Sequence, residues 1–314
     1  MGAHGLMRQP LTRRQEMVRK KKDDVSILGR AMLVYVSIGM WTARKHDKRV
    51  TEKVNEEMAH NPEAGRYHKR LFGGKNTVHS KLVTAVQQAR NTHYAQTLPW
   101  EDTGWRLLPT ANYFEYTEIM RAAQARFEAA LEQFLEHYQE LVKASKELLG
   151  DMYNVKDYPS VTEIRHKFHF DIDYAPVPAG QDFRVDLPEA ELRAMTKQVE
   201  SRVHTAVQTA TQEIWQRLGD TVHEIRGYLD DGKFLRDTMI DRVREMAELL
   251  GRLNLNNDPK LEATRQKVLT DLAGLRADSI KNNEKVRTAA AKKADDILKS
   301  MKGVYTPPPP QEDK

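Results

Sequence analysis

The chain has 314 residues, no cysteine, 39% hydrophobic and 30% charged residues, and a formal net charge of +5. The lack of cysteine excludes disulfides, thiolate nucleophiles, Cys-ligated zinc and cysteine-held iron–sulfur clusters, and it fits a reducing compartment. The longest apolar-rich run, residues 31–41, falls far short of the ~20 residues of a membrane span, and no signal-type apolar region with a cleavage site is present. A cytoplasmic protein with no membrane partner is the expectation.

The charge is unevenly placed. Residues 1–30 hold eight basic residues against Glu16, Asp23 and Asp24, so this arm formally supplies the whole net charge. The remainder is balanced and lacks the overall basic character of a nucleic-acid-binding body. Residues 1–26 are expected to form a flexible basic arm. Residues 27–255 should form a helical hairpin domain with a small β element, 256–302 a set of C-terminal helices, and 303–314 a disordered Pro-rich tail.

In chain order, Leu33–Trp41 has strand-forming composition, with a buried helix as the alternative because short apolar runs are ambiguous, and Asp47–Ala59 reads as a polar helix. A further helix covers 75–94, with Val78, Leu82, Val86 and Ala89 at helical steps. The segment 97–116, TLPWEDTGWRLLPTANYFEY, holds two Trp and two Pro. It predicts a turn at Glu101–Gly104 and a strand at Trp105–Leu108. A long helix should follow from Asn112 to a Gly150 cap. Its seam is Tyr116, Met120, Ala123, Phe127, Ala130, Phe134, Tyr138, Leu141, Ser145 and Leu148.

Ser160 and Glu163 form a capping-box pattern ahead of a short helix. Phe168, Phe170, Ile172 and Tyr174 alternate with His169, Asp171 and Asp173, which predicts a half-buried strand. A second strand is expected at 182–186. The second long helix starts after Pro188, with a seam at Leu192, Met195, Val199, Val203, Ala206, Ala210, Ile214, Leu218, Val222, Ile225 and Leu229. Helices then follow at 234–253, 258–275 and 275–301. The fold class expected is mainly α: a long antiparallel helical hairpin or coiled-coil bundle with a small antiparallel β-sheet at one end.

Chemical motifs are sparse. Leu71–Thr77 contains Gly-Gly-Lys without the spaced glycines that cradle phosphates, and there is no dinucleotide fingerprint or nucleophile elbow. His166, His169, Asp171 and Asp173 resemble a ligand set, but 169, 171 and 173 share one strand face and read as solvated. No catalytic, cofactor-binding or metal-binding residue is assigned, and no cofactor is implied. Trp100, Trp105, Arg106, Tyr113 and Phe183 are the candidate partner-binding residues; for the two tryptophans, sealing the end of a helical core is the commoner role of such a pair, and stacking on nucleic-acid bases is a third. Arg13, Arg14, Arg19, Lys20, Lys21 and Lys22 are the candidate nucleic-acid contacts.

Several pieces together resemble a family of tailed-phage and bacterial proteins known as domain of unknown function 3150. They are Val36–Trp41 followed by Lys45 and Lys48, Gly65–Leu71, Thr97–Trp100, Arg106–Pro109, and Pro176-Val177-Pro178 followed by Asp182–Val185. The resemblance covers roughly residues 28–255. It assigns no activity. It implies a phage-encoded helper in a multi-protein machine, since genes of that family lie near MoxR-type AAA+ ATPases and von Willebrand A-type proteins. The function expected is thus a non-enzymatic helical scaffold with protein partners, including an AAA+ ATPase, and with self-association of its seams. A nucleic-acid-binding accessory protein using the basic arm is the alternative, and a metal-dependent enzyme with a dispersed carboxylate or His site is a second one.

Overall fold

A computed structural model describes residues 27–58, 61–73, 77–182, 185–230 and 236–309. The basic arm, and with it Arg13, Arg14, Arg19, Lys20, Lys21 and Lys22, lies outside the described residues, as does Phe183. The protein is mainly α-helical, with long helices, a four-stranded antiparallel sheet and a separate two-stranded one. The chain divides into two units. One comprises residues up to Tyr35, Gln96–Phe114 and Tyr174 onward; the other comprises Val36–Ala95 and Glu115–Asp173.

The strands are β1 (Ala31–Gly39), β2 (Arg44–His46), β3 (His68–Arg70), β4 (Leu98–Pro99), β5 (Arg106–Pro109) and β6 (His169–Pro176). The larger sheet has the order β4-β5-β1-β6, and β2 pairs with β3. Ala31 faces Pro109 and Val34 faces Arg106 across the β1–β5 ladder. β1 runs along the apolar stretch because Val, Ile and Tyr fit a pleated, half-buried surface. In β6, Phe170 is buried while His169, Asp171 and Asp173 are exposed. That is the predicted alternation, although Tyr174, expected on the buried face, is exposed.

The first unit is built on α6 (Glu189–Asp230), a helix of 42 residues. The carbonyl of Pro188 accepts from the backbone of Glu191 and Leu192, so the helix starts where proline is preorganised for it. Its seam is buried from Val199 through Val203, Ala206, Ala210, Ile214, Leu218, Val222 and Ile225 to Leu229. That stripe is covered by α7 (Asp237–Leu253), α8 (Pro259–Asp271) and α10 (Glu284–Ser300). The helix expected across 275–301 is divided into α9 (Ala277–Asn282) and α10. The reason is local: the Asn283 side chain accepts from the backbone of Lys285 and Val286 and restarts the helix as its N-cap. The strand expected at 182–186 is absent among the described residues of that stretch. Gly180–Asp182 is a 3-10 turn instead, with the Asp182 carboxylate accepting from the Ala179 amide at 2.8 Å.

The tail expected to be disordered from 303 is held as far as Thr306. Gln212 donates to the Val304 carbonyl and Gln216 to the Thr306 carbonyl, each at 2.8 Å. The Tyr305 ring lies over Gly219, where a side chain would collide with it.

The second unit contains α1 (Lys48–Met58), α2 (Val78–Gln96) and most of α3 (Tyr113–Glu136), then α4 (Tyr138–Leu149) and the short α5 (Val161–Arg165). The helix expected to run unbroken from 112 to 149 is interrupted at His137. That residue leaves helical geometry at ψ 7°, and its ring donates back to the Gln133 carbonyl at 2.9 Å. The interruption shifts the seam: Tyr116, Met120, Ala123, Phe127, Phe134 and Tyr138 are buried, but Leu148 is exposed and Leu149 takes the inner position. The core here is aromatic. Phe127 meets Phe170 at 5.6 Å, Phe134 meets Phe168 at 5.7 Å, and Phe72 packs edge-on to Trp41 and Tyr138. The capping box at Ser160 and Glu163 is present in both directions.

Candidate partner-docking site

The 97–114 segment belongs to the first unit. Thr97 directly follows α2 and is fully buried. Its carbonyl accepts from Arg217 of α6 at 3.0 Å and from Arg106 of β5 at 3.2 Å, and its hydroxyl accepts from Arg106 Nε at 2.7 Å. Two guanidiniums therefore converge on one backbone turn, where charge-assisted hydrogen bonds are stronger than neutral ones. Glu101 in the next turn makes a bidentate pair with Arg202, at 2.7 and 2.8 Å. Gly104 closes that turn at φ +87°, a conformation glycine adopts without a Cβ penalty, and the Tyr35 ring lies above it. Tyr35 in turn packs against Trp105, with ring centroids 5.5 Å apart.

These contacts sort the predicted partner-binding residues. Trp100 is only 7% exposed and belongs to the core of the first unit. Trp105 is half-buried against that core. Arg106 is spent on Thr97. Tyr113 is half-buried and stands in a short aromatic run, 5.4 Å from Phe114 and 6.0 Å from Tyr174, ring centre to ring centre.

The two residues that accompany Tyr113 were not among the sequence candidates. Phe114 is 83% exposed and Tyr174 43%. A signal for Phe114 existed: it stands two positions before the buried Tyr116, about 200° away around a helix, so it cannot share the seam. Tyr174 gave no such signal, because its strand alternation pointed inward. Beneath this edge, Asn112 is fully buried. It donates to the Gln96 carbonyl at 2.9 Å and accepts from Arg252 Nε at 2.9 Å, fixing the start of α3 to α7.

Among the described residues, no group of three or more His, Cys, Asp or Glu is placed to hold a metal ion. The imidazole of His169 hydrogen-bonds Ser37 Oγ at 2.8 Å. No described helix is long and apolar enough to cross a membrane. No family model matches the chain, no curated protein is similar to it, and no solved structure matches it.

Proposed function

We propose that this chain is a non-enzymatic helical interaction protein, one component of a multi-protein assembly, and that it docks a protein partner through the Tyr113–Phe114–Tyr174 edge. The observation that carries the reading is the 83% exposure of Phe114 within a row of touching rings. Full burial of such a side chain is worth about 1.5–3 kcal/mol, and aromatic residues are the usual anchors of protein interfaces. The buried Asn112 ties the residue before Tyr113 to Gln96 and to Arg252 of α7, which lowers the cost of ordering that residue on binding.

The resemblance to the phage and bacterial family makes a MoxR-type AAA+ ATPase the first partner to test and a phage origin the expected one. Purified chain and such an ATPase from the same genome should form a complex in light scattering. A Phe114→Ser/Tyr174→Ser variant that melts like the parent should lose it. An unchanged complex would remove this edge from the argument, and concentration-dependent mass of the chain alone would point to a second copy as the partner.

A further inference from the structure

The two-stranded sheet of the second unit is built from basic residues only. β2 reads Arg44-Lys45-His46 and β3 reads His68-Lys69-Arg70, in antiparallel register: Arg44 faces Arg70, Lys45 faces Lys69 and His46 faces His68. Directly opposed residues share a face, and successive residues alternate. One face therefore carries Lys45 and Lys69, and the other carries Arg44, Arg70, His46 and His68.

On the first face Lys45 is exposed, and Lys69 is neutralised internally. Lys69 is 6% exposed, and its amine lies 2.9 Å from Asp157 and 3.4 Å from Asp47. The second face is not neutralised. Arg44, His68 and Arg70 are exposed, and none of them forms an ion pair among the described residues. Like charges directly opposite one another destabilise a strand pair, and an anion bridging Arg44 and Arg70 removes that cost. Exposed cations extend the surface on both sides: Lys48 and Arg49 follow β2, and Arg66 precedes β3. Arg49 donates to the backbone carbonyl of Asp151, itself an exposed aspartate, at 2.7 Å. Asp47, the carboxylate within this run, is buried against Lys69. The nearest exposed ones in sequence are Glu52 and Glu63.

Flat rings lie among these charges. His46 and His68 have centroids 5.4 Å apart at an interplanar angle of 37°. His68 is exposed beside Arg70, whereas Tyr67, whose carbonyl accepts from the Asp47 amide, belongs to the Lys69 face. Guanidiniums grip phosphates bidentately, and exposed aromatic faces stack on unpaired bases. None of the six strand positions is apolar, whereas a membrane-surface element needs an apolar face to insert.

We propose that the paired strands Arg44–His46 and His68–Arg70 form a binding site for single-stranded nucleic acid. The arginines hold its phosphates and the rings stack on its bases. The site is separate from the aromatic edge above and does not depend on it.

The test is fluorescence anisotropy of the full chain with a labelled 20-nucleotide oligothymidylate. Affinity should fall steeply with salt. Arg44→Gln/Arg70→Gln should weaken binding at least tenfold and lower the salt slope by about 1.4, at ~0.7 per phosphate contact on a single strand. His68→Ala, assayed at pH 8, should weaken binding several-fold and leave the salt slope unchanged. It also guards against a double variant that fails to fold, and circular dichroism should show both variants folded. Deleting residues 1–26 should leave the dependence on Arg44 and Arg70 intact. Parental binding by the double variant overturns the proposal. So does equal or tighter binding to a matched duplex, to polyglutamate or to phosphatidylserine vesicles, each of which assigns the cationic face to a different partner.

Discussion

The Lys69 amine sits 2.9 Å from the Asp157 carboxylate, buried where β3 meets the turn before α5. Asp47 and the Met152 carbonyl complete its surroundings, the latter at 2.5 Å. This relationship anchors one strand of the basic ribbon to the body of its unit. Removing one member of such a group leaves uncompensated buried charge. Lys69→Met is expected to cost about 3–5 kcal/mol, measured by denaturant unfolding at neutral pH.

The same cluster fixes the sign of a pH dependence. Burial alone pushes the Asp47 carboxyl up, but the Val50 amide and the Lys69 charge overcome it, and the carboxyl lies below its ordinary value. Its contribution is therefore present above the unfolded carboxyl value and lost as pH falls through the lower folded one. Burial pushes the Lys69 amine down, and the two carboxylates more than offset this, so it lies above its ordinary value. That contribution is complete below the ordinary lysine value and lost as pH rises through the folded one. In Lys69→Met, protonation relieves the Asp47 carboxylate, so the stability gap to the parent should narrow on acidification. A gap that is constant with pH would refute the assignment.

Tyr305 reports the docking of the tail. Burial first, then the adjacent Asp220 carboxylate, pushes its hydroxyl up to about 12; that hydroxyl donates to Asp220 at 3.2 Å. Its contribution is complete below the ordinary tyrosine value and lost as pH rises through about 12. Tyr305→Phe should remove one late-titrating phenol from the ultraviolet titration, leaving that of Tyr138, also pushed to about 12. Gly219→Ala should displace the ring and speed hydrogen exchange in residues 302–306, while the helix itself gains up to about 1 kcal/mol in propensity.

Trp100 and Trp105 should behave differently although the sequence offers them as a pair. Trp100→Ala empties a core position and is expected to cost about 3–5 kcal/mol. Trp105→Ala exposes one side of Tyr35 and should cost less, about 1–3 kcal/mol. Thermal melts of the two single variants decide this. Equal losses would contradict the burial difference.

Asn112→Ala removes the acceptor of Arg252 and the donor to Gln96 in one step. A loss of about 1–3 kcal/mol is expected. Weaker partner docking at Phe114, measured under conditions where the variant stays folded, would show that the link also positions the aromatic edge.

Local rules made much of this architecture legible in the chain. Apolar residues every three or four positions place a stripe on one side of a helix wherever it packs, so the seam from Val199 to Leu229 could be written down residue by residue. Alternation did the same for Phe168 and Phe170, and Ser160 with Glu163 announced a helix start through bonds that span three residues. The interruption at His137 and the restart at Asn283 leave no periodic signal, because each depends on a single side chain competing with the helix backbone.

What covers a stripe, and what two distant runs become when paired, is set by long-range contact. The sequence marks Trp100 and Phe114 alike as aromatics in one dense segment, yet the tertiary structure buries the first and leaves the second in water. It likewise shows Arg44-Lys45-His46 and His68-Lys69-Arg70 as separate basic runs within residues 31–314, whose total charge balances. Only strand pairing sets Arg44 against Arg70, and only the burial of Lys69 with Asp47 and Asp157 leaves the opposite face without counter-charge. Periodicity is a property of neighbours along the chain; charge and exposure at a surface are properties of neighbours in space.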